Sequence, residues 1–126
     1  MFGTLLSVAL GGAIGATMRY LTNMSVMRLV GPGFPYGTIV ANVAGSFLMG
    51  VLVVALARRG GMELAPFLMT GLLGGFTTFS AFSLDALTLF ERGEVSLAGL
   101  YVGASVFLSL AAIAVGVLAA RAVVPV

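Results

Sequence analysis

Four stretches of this chain are apolar for about 20 residues each, the length an α-helix needs to cross a hydrocarbon core roughly 30 Å thick. They cover residues 2–20, 36–57, 64–90 and 95–120. Backbone amides in lipid must be satisfied within their own segment, so the stretches read as helices. Composition agrees: 60% of the 126 residues are hydrophobic and 8% are charged, whereas a soluble domain averages about 25% charged residues. That leaves too little polar surface to coat a water-soluble globule. The connectors are short and carry turn residues, Gly31-Pro32-Gly33-Phe34-Pro35, Arg58-Arg59-Gly60-Gly61 and Glu91-Arg92-Gly93-Glu94. The expectation is an all-α membrane protein, one four-helix transmembrane domain over residues 1–126. The first stretch lacks a basic flank and a small-residue cleavage site, so it reads as a retained helix and not a signal peptide.

Histidine, cysteine and tryptophan are absent. No imidazole base, thiolate nucleophile, disulfide or ordinary zinc or haem ligand is available, and nothing points to an enzyme. The six arginines form no basic stripe, which argues against nucleic acid. They also leave the positive-inside rule tied. Arg58, Arg59 and Arg121 fall on one side of four spans; Arg28, Arg92 and Arg19 fall on the other. Either a weak bias settles one orientation, or the chain inserts both ways and pairs as an antiparallel homodimer. The second reading gives two copies the inverted symmetry that many transporters build from internal repeats. Small residues recur at i, i+4 in Gly11/Gly15, Gly37/Ala41/Gly45, Ser46/Gly50, Gly71/Gly75 and Gly99/Gly103, a spacing that lets helix backbones approach.

The third span contains the sharpest local signal. Gly74-Gly75 and Thr77-Thr78 are poor helix formers in the middle of an apolar run, so this helix is expected to be broken. Carbonyls freed at such a break can coordinate cations, and the simpler alternative is a glycine kink at a helix crossing. Beyond the break, Phe79 and Phe82 share a helix face with Ser83 beside them. Ring edges are electropositive and can favour a small anion, although phenylalanines at this spacing are more often lipid-facing or core packing. Tyr101, Ser105 and Ser109 form a hydroxyl stripe on the fourth span; it is either a polar track or a small-residue packing face whose serines bond back to their own helix. Asn42 either cements helices or donates to a passing anion. Arg19 either snorkels to an interface or concentrates anions at a vestibule. Asp85 is a candidate partner for an arginine near the same interface.

Taken together, Gly11 to Tyr20, Gly37 to Phe47 and Gly71 to Ser83 resemble the three signature segments of the CrcB, or Fluc, family of small fluoride channels, and the likeness spans all four helices. The resemblance implies an antiparallel, dual-topology homodimer in the cell (inner) membrane that passes fluoride passively and confers fluoride resistance. It implies a structural sodium ion (Na+) at the dimer interface, bound by main-chain carbonyls of Gly74 and Thr77 from each copy. It places Asn42, Phe79, Phe82, Ser80, Ser83, Tyr101, Ser105 and Ser109 along the fluoride pathway, with Arg19 at the vestibule. Ala81 departs from the family pattern, which usually has a threonine there. The competing reading is a small proton-coupled multidrug antiporter, for which Asp85 is the only weak candidate acid. A membrane subunit without transport activity is a third.

Overall fold

A computed structural model describes all 126 residues as helices and connectors, with no strand. Helices α1 (Phe2–Val30), α2 (Tyr36–Arg59) and α5 (Val95–Val123) are continuous. The third span is built in pieces: a 3-10 turn at Met62–Leu64, a π-helical stretch at Pro66–Leu73, a short α3 (Gly74–Phe76) and α4 (Ser80–Glu91). All four spans are long and apolar enough to cross a membrane.

Helix α1 runs ten residues beyond the apolar stretch that announces it. Its 29 residues extend about 43 Å at 1.5 Å per residue. The polar residues after Tyr20 do not stop it, because Thr22 bonds back to the Met18 carbonyl at 2.9 Å and no glycine or proline intervenes. The helix ends where Gly31 takes φ 80° and its amide donates to Met27 O at 2.8 Å. Arg19 therefore lies in mid-helix, and Arg28 belongs to the last helical turn. Helix α2 ends in the same manner, at Gly60 with φ 77°.

The break falls within the expected cluster, at its threonines and not at its glycines. Gly74 and Gly75 are helical, and the chain leaves the helix at Thr77, with φ −86° and ψ 159°. Gly75 serves packing instead: a Cβ there would lie 2.7 Å from Gly12 O on α1. The Thr77 amide and hydroxyl both donate to Leu73 O at 2.9 Å, closing the upstream helix. On the far side the Thr78 hydroxyl accepts from the Ala81 amide at 3.1 Å and starts α4. The π-helical stretch had no signature in the sequence beyond Pro66 in its first turn.

The break lets one span change partners. Its first half packs on α1 and its second half on α5, while α2 and α5 form the other long interface. The close crossings are glycine-built. A Cβ at Gly11 would meet Phe67 O at 2.5 Å, one at Gly71 would meet Val8 O at 2.9 Å, and Gly15 abuts Leu72 O. Gly50 faces Ile113 O, and Gly116, which belongs to none of the sequence pairs, faces Phe47 O. Gly99 and Gly103 differ from the other pairs, with open space where a Cβ would stand.

The exposed surface is 7556 Å², against about 6300 Å² expected for a folded soluble monomer of this mass. Many large apolar side chains remain exposed, among them Leu10, Leu21, Leu84, Leu100, Phe107 and Leu118. Lipid or another protein chain must cover such a surface.

Candidate functional site

A cavity of about 500 Å³ opens beside the break, between α2, the third span and α5. It gathers Asn42, Phe79, Phe82, Ser105 and Ser109 with Gly74 and Thr77. The two rings lie 5.4 Å apart between centroids and are tilted by 51°. Phe82 is buried, whereas Phe79 is 77% exposed. The edges of such rings carry partial positive charge. Ser105 is only 5% exposed and its hydroxyl has no hydrogen-bond partner within the chain. Leaving a buried hydroxyl unpaired costs about 1–3 kcal/mol, so this oxygen is a group waiting for a ligand or water in the cavity it lines.

Asn42 holds the break together. Its Nδ2 donates to Thr78 O at 2.9 Å and its Oδ1 accepts from the Thr78 amide at 2.8 Å, so one side chain satisfies a whole residue of broken backbone. In a continuous helix the Thr78 amide would serve Gly74 O and the Ala81 amide would serve Thr77 O. Here Asn42 takes the first and the Thr78 hydroxyl takes the second. The carbonyls of Gly74 and Thr77 consequently receive no hydrogen bond within the chain. Buried or membrane-depth carbonyls are rarely left this way. Gly74 is exposed on the surface of the single chain and Thr77 is half-buried.

The remaining candidates divide. Arg19 is half-buried in mid-helix, away from the helix end where a snorkelling anchor would sit, and its Nε donates to Gly75 O at 3.1 Å. Ser80 and Ser83 are exposed outside the cavity wall. The Ser80 hydroxyl lies 3.4 Å from that of Thr78, and the Ser83 hydroxyl donates to Phe79 O at 2.9 Å. Tyr101 is fully buried and separates from the stripe it was grouped with, because its hydroxyl donates to Asp85 Oδ2 at 2.9 Å. The same oxygen accepts from Thr38 at 2.8 Å. Asp85 thus bonds to two hydroxyls and not to the arginine it was expected to meet. A second cavity of about 410 Å³ lies on this side, lined by Asn23, Thr38, Asp85 and Arg92. Thr38 is not among the residues the sequence singles out, and Thr78 enters there only as a poor helix former. The available signal was a hydroxyl inside an apolar helix, which needs a partner once buried.

Residues 6–117 match the family model described as CrcB-like protein, Camphor Resistance (CrcB). The chain is 66% identical over 121 residues to a protein of Cereibacter sphaeroides (strain ATCC 17029) named fluoride-specific ion channel FluC, with 96% of this chain and 97% of that one covered. Proteins of the same name from Ruegeria sp. (strain TM1040) and Paracoccus denitrificans are 59% and 58% identical, over 98% and 94% of each chain respectively.

Proposed function

This chain belongs to the CrcB family, and from that premise we propose that it is a fluoride-selective ion channel. It exports cytoplasmic fluoride passively down its electrochemical gradient and so confers fluoride resistance. It is a multi-pass membrane protein and not an enzyme, and the inner cell membrane is where such a role places it.

The observation that carries the mechanism is the convergence, beside an unpartnered Ser105 hydroxyl, of two phenylalanine rings and further neutral donors on one cavity. Fluoride is small and strongly hydrated, so a dry path must replace its lost water with donors. Hydroxyls, ring edges and the second proton of the Asn42 amide offer this without a buried charge that would hold the ion too tightly to release it. Chloride is larger and gains less from the same donors. No carboxylate lines this cavity, in keeping with flow that needs no proton coupling. The competing antiporter reading loses its footing with the family assignment, and its candidate acid, Asp85, is engaged by Thr38 and Tyr101.

Two further features belong to the proposal. The exposed apolar surface and the balanced arginines suit an antiparallel, dual-topology homodimer. In it, the carbonyls of Gly74 and Thr77 from both copies would hold a structural sodium ion. Hard carbonyl oxygens suit a hard cation, and these two are among the carbonyls at the break that have lost their helical donors and have no substitute within the chain. When bound, the ion would neutralise oxygens that lipid cannot satisfy. Asn42 orients the peptide beside them, and α4 carries the rings onward from the same break.

Proteoliposomes loaded with fluoride test the proposal. Efflux without an imposed proton gradient, read with a fluoride electrode, is expected; silence toward fluoride combined with exchange of cationic drugs would overturn it.

A further inference from the structure

We infer that Arg19 is a positioning residue for the main-chain cation site, acting through a single hydrogen bond from its Nε to Gly75 O. The inference rests on the sodium reading given above and assigns Arg19 a role other than raising anion concentration at a vestibule.

The argument starts from the backbone. In an unbroken helix Gly75 O would accept from the amide of residue 79. Phe79 lies outside the helix and its amide makes no such bond. Arg19 supplies the missing donor from α1, at 3.1 Å. Two neighbouring helices therefore grip the break from opposite ends: α1 holds the carbonyl of residue 75, and α2 holds the amide and carbonyl of residue 78 through Asn42. The orphaned carbonyl of Thr77 lies within this bracket, and that of Gly74 belongs to the peptide immediately before it. Releasing the Gly75 peptide removes the fixed neighbour against which the Gly74 peptide is held, because the two hinge on the Gly75 Cα through soft dihedrals.

Atom identity matters. The bond is made by Nε, the nitrogen attached to Cδ, and neither Nη nitrogen bonds within the chain. The two glycine contacts around it fix the distance: Gly15 lies against Leu72 O, and Gly75 lies against Gly12 O. With the backbones held this close, a donor must occur at the Cδ-bonded position to meet Gly75 O. The positive charge plays no part in this geometry, and beside a cation it is unfavourable.

Two substitutions separate donor from charge. In Arg19→Gln the amide nitrogen is bonded to Cδ, as Nε is, while the charge is gone. In Arg19→Lys the charge stays, but carbon occupies the Nε position and the nitrogen lies one bond farther out. The measurement is thermal unfolding of the purified protein, followed by circular dichroism, as sodium replaces N-methyl-D-glucamine at constant ionic strength. The readout is the sodium concentration that gives half of the maximal stabilisation. Arg19→Gln is expected within about twofold of wild type, and Arg19→Lys is expected to need about tenfold more sodium, the upper end of what one hydrogen bond contributes. The reverse order, or two variants alike, would overturn the inference, as would misfolding of the glutamine variant. A wild-type protein indifferent to sodium would remove the cation reading itself. Sodium-dependent wild type with sodium affinity unchanged in the lysine variant would remove only the role given to Arg19.

Discussion

Asn42 and Ser105 stand at opposite extremes of hydrogen-bond satisfaction in one cavity. Asn42 bonds both ends of its amide to Thr78, whereas Ser105 bonds to nothing. Ser105→Ala removes a buried oxygen that lacks a partner, so stability should hold or rise by about 1 kcal/mol while fluoride efflux falls. A structural serine would give the opposite sign in stability, and paired melting and efflux curves distinguish the two. Asn42→Asp keeps an acceptor for the Thr78 amide but turns an oxygen toward Thr78 O. Melting should show a loss of about 1–3 kcal/mol, and the added negative charge should depress efflux further. The sequence disclosed these residues as polar groups in apolar helices. It could not disclose which bonds they make, since those depend on where another helix breaks. Tyr101 is the clearest example: its spacing groups it with Ser105 and Ser109, yet Asp85 on α4 captures its hydroxyl.

At the scale of elements, the glycines divide by what faces them. Gly15 has main-chain oxygen against it and Gly99 has open space, although both belong to helices of equal length. Gly15→Ala should force α1 away from the third span and cost more than about 2 kcal/mol. Gly99→Ala should leave the monomer fold intact, with its helix propensity improved by up to about 1 kcal/mol. Thermal unfolding of the two variants checks the contrast; equal destabilisation would contradict the α1 crossing. Four helices and a discontinuity in the third were legible from hydropathy and from the clustering of glycine and threonine. Which residue of that cluster leaves the helix was not, because Gly74 and Gly75 supply propensity against a helix while the packing of Gly75 on α1 keeps them helical. Nor was the extent of α1, since hydropathy fades at Arg19 whereas helical structure ends only at the Gly31-Pro32 signal.

For the molecule as a whole, the arginine count takes a different form once the helices are placed. Arg19 lies in mid-helix on a carbonyl, and Arg58 donates to the carbonyls of Arg121 and Val124 at the end of α5, at 3.0 and 2.8 Å. That bond suits a cation at a helix C-terminus. The arginines without such commitments are Arg59 and Arg121 at one end and Arg28 and Arg92 at the other, still evenly matched. The evenly matched arginines, a wide apolar surface and carbonyls at the break without donors are the features on which the proposed second, inverted copy rests. The central claim, however, is selective passive passage of fluoride, and one measurement bears on it most directly. Liposomes containing the purified chain are loaded with potassium fluoride and a little sodium fluoride and diluted into fluoride-free sodium buffer, with a potassium ionophore carrying the compensating current, and external fluoride is followed with a selective electrode. The account predicts prompt release of most trapped fluoride, no release of chloride under the same conditions, and marked slowing in Phe82→Ile. Fluoride retained until detergent is added, from vesicles shown to contain folded protein, would contradict it.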